Sequence, residues 1–264
     1  MAREWRRLLI SPERLEALAI ASHLQLALEP HESHYLRRVL RLRAGDPFAI
    51  ADGAGRLWTA QLAPLAGGAA VVAQLDQPLA EPLLQEPKPT LALALAIALP
   101  KREGDLVLRM ACELGLDRIA PLAAERSVAG ELKHERCAGI LREAAEQCER
   151  LWLPELMPLG PAASCLGQAP AGVGLLATTR RPGLPLLAAQ LSSLEPIHSG
   201  LITIAVGPEG GWTPREEELA IANGWRPVSL GPTILRSSTA ALAGLADLVS
   251  WRNLSSPSFP APSP

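Results

Sequence analysis

Apolar residues recur along this chain with two different periods, and the change of period divides it. Ala49-Ile50-Ala51 runs into Asp52-Gly53, a hairpin-turn pair, and the pattern resumes from Leu57 to Leu62, which predicts two antiparallel strands. Val71 to Leu75 predicts a further strand, while Glu32 to Arg43 has helical spacing that stops at Gly45. A small β-barrel carrying one or two helices accounts for this segment. From Leu91 onward, short apolar runs alternate with helical periodicity. Strands are predicted at 91–99, 118–122, 173–178, 201–206 and 227–230, and helices at 104–114, 131–151, 184–193, 214–223 and 238–252. Such alternation predicts a parallel α/β sheet. The 214–223 helix carries its own start and stop signals. Thr213 caps, Pro214 takes the first helical position, Glu216 completes a capping box and Gly224 follows the end. Along 131–151, Ile140, Ala144, Ala145 and Cys148 share one face and read as core packing.

Punctuation sets the boundaries. Pro78, Pro82, Pro87 and Pro89 crowd one stretch, which reads as a semi-rigid linker over 79–90. The expected organisation is therefore a first domain at 1–78, the linker, a second domain at 91–252 and a disordered Ser/Pro-rich tail at 253–264. A length of 264 residues suits one large domain or two modest ones.

Composition narrows the class. With 48% hydrophobic and 20% charged residues, the chain is not wholly disordered, and a formal net charge of −2 shows no global basic excess. Nucleic-acid binding must then rest on local patches. Arg3, Arg6 and Arg7 cluster at the start, and Arg37, Arg38, Arg41 and Arg43 follow one another with no acidic residue between them. Lys101, Arg126 and Arg150 extend the candidate basic surface. Only Lys88, Lys101 and Lys133 are lysines, so the basic set is mostly arginine, whose planar fork suits phosphate. A solvated helix face is the plainer account of any single arginine. With 6 Trp, 1 Tyr and 2 Phe, extensive base stacking is disfavoured, and recognition of a folded RNA by shape and backbone is expected. The four cysteines form no C-x-x-C pair and have no histidine at zinc-ligand spacing, so reduced buried thiols and no metal site are expected. Leu8-Leu9-Ile10 is too short for a signal-peptide core, and the longest strongly apolar run, Leu91 to Leu99, is too short to span a bilayer. A soluble cytoplasmic protein without membrane contact is expected.

In an open α/β sheet, ligands bind outside the carboxyl ends of the strands. Two strand-to-helix loops stand out there. Gly207-Pro208-Glu209-Gly210-Gly211-Trp212 permits close backbone approach to a ligand, though an ordinary Gly/Pro turn has the same composition. Leu230 to Thr239 places apolar Ile234-Leu235 in a loop, which calls for a fold-back or an apolar pocket, and Arg236 is either functional or simply solvated. No G-x-x-x-x-G-K-[ST] is present, no G-x-G-x-x-G follows the first α/β strand, and G-x-S-x-G is absent. P-loop hydrolysis, ordinary dinucleotide binding and α/β-hydrolase chemistry are therefore disfavoured.

Gly207-Pro208-Glu209-Gly210-Gly211, then Leu230-Gly231-Pro232 and Ile234-Leu235-Arg236-x-x-Thr239-Ala240, resemble the SPOUT superfamily of RNA methyltransferases. More closely they resemble the bacterial RsmE family of 16S ribosomal RNA (uracil-N3)-methyltransferases. Ala98-Leu99-Pro100-Lys101, Glu113-Leu114-Gly115, Pro121-Leu122, Glu125-Arg126-Ser127 and Arg142 to Gln147 continue the match. His34-Tyr35-Leu36, Val39-Leu40-Arg41 and Gly45-Asp46 resemble that family's PUA-like RNA-binding domain. The resemblance implies a SPOUT-type parallel sheet with a C-terminal trefoil knot holding S-adenosylmethionine, preceded by a PUA-like β-barrel. It also implies a homodimer and, as substrate, 16S ribosomal RNA or the 30S particle. Carried over by position, Ala177, Thr178, Gly207, Pro208, Glu209, Gly210, Gly211, Leu230, Gly231, Ile234, Leu235, Thr239 and Ala240 would hold the cofactor. Arg236 would stabilise charge developing on the uracil oxygens, with Glu209 orienting substrate or cofactor; Arg6, Arg7, Arg37, Arg38, Arg41, Lys101, Arg126 and Arg150 would meet RNA. No residue is singled out as general base. The chain departs from the family pattern at Thr233 (commonly arginine), Ser238 (commonly glutamate), Glu149 (commonly glycine) and Thr178-Thr179-Arg180, which lacks the usual acidic residue. Those departures keep open a non-catalytic RNA-binding or ribosome-assembly factor with the same fold, and the same chemistry on another RNA is a further alternative.

Overall fold

The computed structural model describes residues 5–20, 24–64, 71–128, 132–179, 181–194 and 197–255. The chain divides into two units, and the described part of the first lies within 5–88 and 145–153. Its elements are β1 (Arg7–Leu9), α1 (Pro12–Ile20), β2 (Gln25–Ala27), α2 (Pro30–His34) continued by one π-helical turn (Tyr35–Val39), β3 (Pro47–Ala51), β4 (Arg56–Pro64), β5 (Val71–Leu75) and β6 (Leu84–Gln85). They form one sheet in the order β1-β3-β4-β5-β2, with β6 added to β4; β1 runs parallel to β3 and the other pairings are antiparallel. Phe48, Ile50, Trp58, Leu62 and Leu75 alternate inward from the strands and close on Leu36, all of them buried. The Asp52-Gly53 signal is realised: Gly53 has φ +71°, and Asp52 Oδ1 accepts from the amides of Ala54 (2.8 Å) and Arg56 (2.9 Å).

Two expectations for this unit are corrected. The helix predicted over 32–43 ends sooner, because the chain widens into the π turn. The Leu40 amide donates to Tyr35 O at 2.9 Å, and Arg41 turns left-handed at φ +59°. The proline-rich stretch read as a linker is instead stitched to the sheet as far as residue 88. The Leu83 amide donates to Leu57 O (2.7 Å) and that of Glu86 to Gly55 O (2.8 Å). Prolines suit such a sheet edge, where a missing N–H leaves no ladder bond unmade.

Residues 145–153 belong to this unit as well. Glu146 Oε1 accepts from the Leu9 amide at 2.8 Å, and the Arg7 guanidinium donates to the main-chain and side-chain oxygens of Glu149. Glu149 has φ +62°, a left-handed conformation that glycine adopts at least cost.

The second unit comprises 89–144 and 154–261. It holds β7 (Leu91–Ile97), α3 (Gly104–Glu113), β8 (Arg118–Ala123), α4 (His134–Gln147, whose last residues pass into the first unit), β9 (Glu155–Leu156), β10 (Gly160–Pro161), α5 (Ala162–Leu166), β11 (Val173–Ala177), α6 (Leu187–Ser192), β12 (Gly200–Val206), α7 (Pro214–Ala222), β13 (Arg226–Val228) and α8 (Ser237–Ser255). The strand order is β10-β8-β7-β12-β11-β13, with β9 beside β8, and every pairing is parallel. β7 and β12 pair along their whole length, Leu91 with Gly200 through Ile97 with Val206. Helices cover both faces of a parallel sheet, which is why β7 reads Leu-Ala-Leu-Ala-Leu-Ala-Ile with no polar position. α8 returns to pack on α3, α6, β7 and β12. Gly244 makes the approach to β12 close: a Cβ there would lie 2.5 Å from Ile204 Cδ1.

Residues 253–255 of the expected tail belong to α8, which runs to Ser255; 256–264 lie outside the described residues. Cys112 and Cys137 are buried as expected, and burial pushes the thiols of Cys137 and Cys165 up. Cys148 is exposed, because α4 stops at Gln147 and its apolar face ends with it. Among the described residues, no helix is long and apolar enough to cross a membrane.

Candidate active site

The loops after β11, β12 and β13 gather at the carboxyl edge of the larger sheet. The sequence signals at Thr213, Pro214 and Glu216 produce the capping box they predict. Thr213 Oγ1 accepts from the Glu216 amide (3.2 Å) and Glu216 Oε2 from the Thr213 amide (2.9 Å). Glu216, 2% exposed, uses its other oxygen to accept from the Glu125 amide at 2.9 Å, so α7 is tied to the loop after β8.

Between β12 and α7, the glycine loop folds over the ring of Trp212. The indole N–H donates to Ala177 O at 3.1 Å, which joins the loop to the end of β11. A Cβ on Gly207 would lie 3.1 Å from that ring, and Gly211 takes φ +69°. The two glycines suit this loop for different reasons, Gly207 by keeping a tight approach to the ring free of a Cβ and Gly211 by its left-handed backbone. Arg126 completes the clamp by donating from Nη1 to Gly210 O (3.0 Å) and Trp212 O (3.1 Å). On the far side, Ser237 Oγ at the start of α8 donates to Gly207 O at 2.8 Å.

These loops enclose a cavity of about 380 Å³, the size of a small-ligand pocket. It brings together the proposed cofactor residues with one exception. Ala177, Thr178, Gly207, Pro208, Glu209, Gly210, Gly211, Leu230, Gly231, Ile234, Leu235 and Ala240 line it, whereas Thr239 does not. Arg126, placed with RNA contacts on sequence, lines this cavity instead and is occupied with the glycine loop. Thr178 Oγ1 donates to Glu217, whose other carboxylate oxygen accepts from Arg181 Nη1 at 3.2 Å. A carboxylate from α7 thus stands at the end of β11.

Arg236 stands beside the cavity rather than in its wall. Its carbonyl accepts from the Ala240 amide (2.8 Å) as α8 begins, and its side chain is 82% exposed. Arg236 Nη1 lies 3.8 Å from Glu103 Oε1, and the other carboxylate oxygen of Glu103 accepts from Ser238 Oγ. A carboxylate therefore reaches position 238 from the residue just before α3 although residue 238 is serine. Sequence reasoning missed Trp212, Ser237, Glu103, Arg181 and Glu217. Trp212 and Ser237 lie in the loops the sequence singles out, but their partners are distant. Ala177 is 35 residues from Trp212, Gly207 is 30 from Ser237, Thr178 is 39 from Glu217 and Ser238 is 135 from Glu103, and no local motif marks such pairings.

In the first unit, Arg37, Arg38, Arg41 and Arg43 are exposed and line a second cavity of about 590 Å³ with Leu42, Leu62 and Pro64. Arg41 takes its left-handed φ of +59° between the arginines of the π turn and Arg43, and all four line this one space. Arg6 and Lys101 are exposed and Arg150 is half-buried. Arg7 is removed from the RNA set. Its side chain is 13% exposed and committed to Glu149. Glu29, His31 and Glu32 approach one another closely enough to hold a cation, but Glu32 already accepts from Arg14 and the Glu29 amide.

Comparison with known proteins places these features. Residues 86–249 match the RNA methyltransferase domain family and 28–73 the RNA methyltransferase PUA domain. The chain is 40% identical over 252 residues to ribosomal RNA small subunit methyltransferase E of Synechocystis, covering 92% of this chain and 76% of that protein. It is 32% identical to the Rickettsia conorii protein of the same name, covering 88% and 91% of the two chains. The crystal structure of the Neisseria gonorrhoeae ribosomal RNA small subunit methyltransferase E bound to S-adenosyl methionine superposes with a TM-score of 0.73 at 28% identity, covering 94% of this chain and 98% of that one. A parallel-sheet domain with a glycine-loop cavity, a PUA domain before it and this degree of identity have one common reading: the chain belongs to the ribosomal RNA small subunit methyltransferase E family.

Proposed function

We propose that the chain transfers a methyl group from S-adenosylmethionine to N3 of a uridine in 16S ribosomal RNA, free or within the 30S particle. The observation that carries this reading is the cavity formed by the Gly207–Gly211 and Leu230–Leu235 loops in a chain of this family. The residues present fit the donor. Leu230, Ile234 and Leu235 offer apolar walls to an adenine, the glycine loops offer main-chain donors and acceptors to its edges, and Glu209 and Glu217 offer carboxylates to ribose hydroxyls or an amino group. When bound, the donor supplies an electrophilic methyl on sulfonium.

Methylation at N3 requires the imide proton to leave, so negative charge develops over N3 and the flanking uracil oxygens. A group that meets this charge belongs at the mouth of the cavity, exposed until RNA arrives. Arg236 has that position, and its guanidinium stabilises the charge as it forms. Glu209, exposed on the rim, orients the substrate or the donor. The loops cross in a deep trefoil knot, a reading supported by the return of α8 to β7 and β12 after β13 has paired outside β11. A second copy completes the site, meeting Ile234, an apolar residue left 72% exposed beside the cavity. The protein acts in the cytoplasm, where its substrate is assembled.

RNA is held by the arginine cavity of the first unit, which the PUA-like barrel presents, with Arg6, Lys101 and Arg150 as further contacts. Substituting Arg37, Arg38 and Arg41 together by alanine is expected to weaken rRNA binding about 10- to 100-fold near 0.1 M salt and to flatten the log K against log salt slope by about 2. Affinity for S-adenosylmethionine is expected to stay unchanged. Filter binding over a salt series checks the first result and calorimetry the second. The activity itself is tested with labelled S-adenosylmethionine and small-subunit rRNA from cells lacking this gene product. Transfer of label into the RNA is expected. Tight binding of both partners without transfer points to an assembly factor instead.

A further inference from the structure

We propose that Glu103 is the positioning residue of Arg236, an inference that rests on the reading of Arg236 as the substrate-facing cation. Glu103 immediately precedes α3, the usual capping position, yet its side chain makes no capping bond to α3. It reaches across to the start of α8 instead. One carboxylate oxygen accepts from Ser238 Oγ, a hydroxyl on a residue only 4% exposed, and is thereby fixed. The other oxygen faces Arg236 Nη1 at 3.8 Å. The neighbouring Ser237 holds Gly207 O at 2.8 Å, so the turn that anchors the carboxylate is the turn that anchors the cavity loop.

An arginine side chain 82% exposed samples many rotamers, and ordering it for each substrate opposes the reaction. A carboxylate pinned on one side restricts that sampling without quenching the charge, because the pair remains open to solvent and at long range. Glu103 thus acts through Arg236 and touches neither the donor nor the base. A stabilising interaction of the carboxylate with the amino end of α8 is the simpler role for the same contact, and the two roles differ in what they move.

The test is a double-mutant cycle of Glu103→Gln and Arg236→Ala in the full-length protein, read by single-turnover methylation of small-subunit rRNA. Glutamine keeps an acceptor for Ser238 and removes only the charge. Glu103→Gln is expected to lower the transfer rate about tenfold, with donor affinity, rRNA KM and melting temperature unchanged, and to have no further effect in the Arg236→Ala background. The proposal is overturned if Glu103→Gln turns over at the wild-type rate, or if it costs the same factor in both backgrounds. Should Arg236→Ala itself retain full transfer, the assignment of Arg236 fails first, and the positioning role with it.

Discussion

Replacing Arg236 by alanine is expected to lower the methyl-transfer rate about 100- to 1,000-fold, the range seen when one preorganised donor to a developing anion is removed. Donor affinity is expected to stay within about twofold, because the side chain leaves the cavity rather than lining it. This separation is the informative part. A residue that bound the donor would raise its dissociation constant on removal, and a residue that merely supported α8 would lower the melting temperature. Arg236 does neither by its position: its guanidinium is exposed, and the helix start depends on its main-chain carbonyl, which alanine keeps. Rapid-quench single-turnover measurements, calorimetric titration and thermal unfolding of the same variant give the three numbers. A folded variant that binds the donor and methylates at the normal rate would sink the assignment.

Trp212→Ala is expected to have the opposite profile, with a large effect on stability and donor binding together. The ring is 6% exposed, packs in the apolar cluster with Leu176, Ala205 and Ala220, and lies under Gly207. Its truncation is expected to destabilise by about 3–5 kcal/mol, and so to lower the melting temperature by about 10 °C. Without the indole N–H, Ala177 O loses its partner and the glycine loop its link to β11. Donor affinity is expected to fall at least about tenfold, since the cavity wall is then no longer preorganised. Trp212→Phe separates the two contributions: it retains most of the packing and loses only the hydrogen bond, about 1 kcal/mol. Calorimetry and thermal unfolding on both variants check this, and unchanged donor affinity in a folded Trp212→Ala protein would remove the ring from the account.

The two units differ in how legible they were, for physical reasons. In the parallel sheet, the central strands β7, β8, β11 and β12 are largely buried and the long helices α3, α4, α7 and α8 show their period, so these elements fall within a few residues of the sequence reading. The two-residue strands β9 and β10 and the short α5 were not predicted. Thr213, Pro214 and Glu216 wrote their capping box locally, and the structure contains it. The first unit is built from shorter pieces. β1, β2 and β6 have two or three residues each, too few for alternation to register, and they form because neighbouring strands offer them hydrogen bonds. β6 also shows why a proline cluster was mistaken for a linker: the chain can pair at a sheet edge between prolines. The glycine loops were readable because their backbone demands leave a composition signature. The side chains that hold them were not. Arg126 reaches the Gly210 carbonyl across 84 residues, and Glu103 reaches Ser238 across 135, contacts that only the fold creates. Glu149 makes the same point from the other side. A residue that looked like a departure takes the left-handed conformation that favours glycine, and is tied to Arg7.

The central claim is that the cavity, the arginine beside it and the arginine-lined first unit together methylate a uracil ring nitrogen in small-subunit rRNA. The most direct measurement is mass-spectrometric mapping of 16S rRNA nucleosides after incubating the purified protein with S-adenosylmethionine and small subunits from cells that lack it. The account predicts 3-methyluridine at a single position, absent from the untreated subunits and absent when Arg236→Ala is used. Methylation at a carbon or a ribose hydroxyl, or an unmodified 16S rRNA in the presence of bound donor, would contradict it.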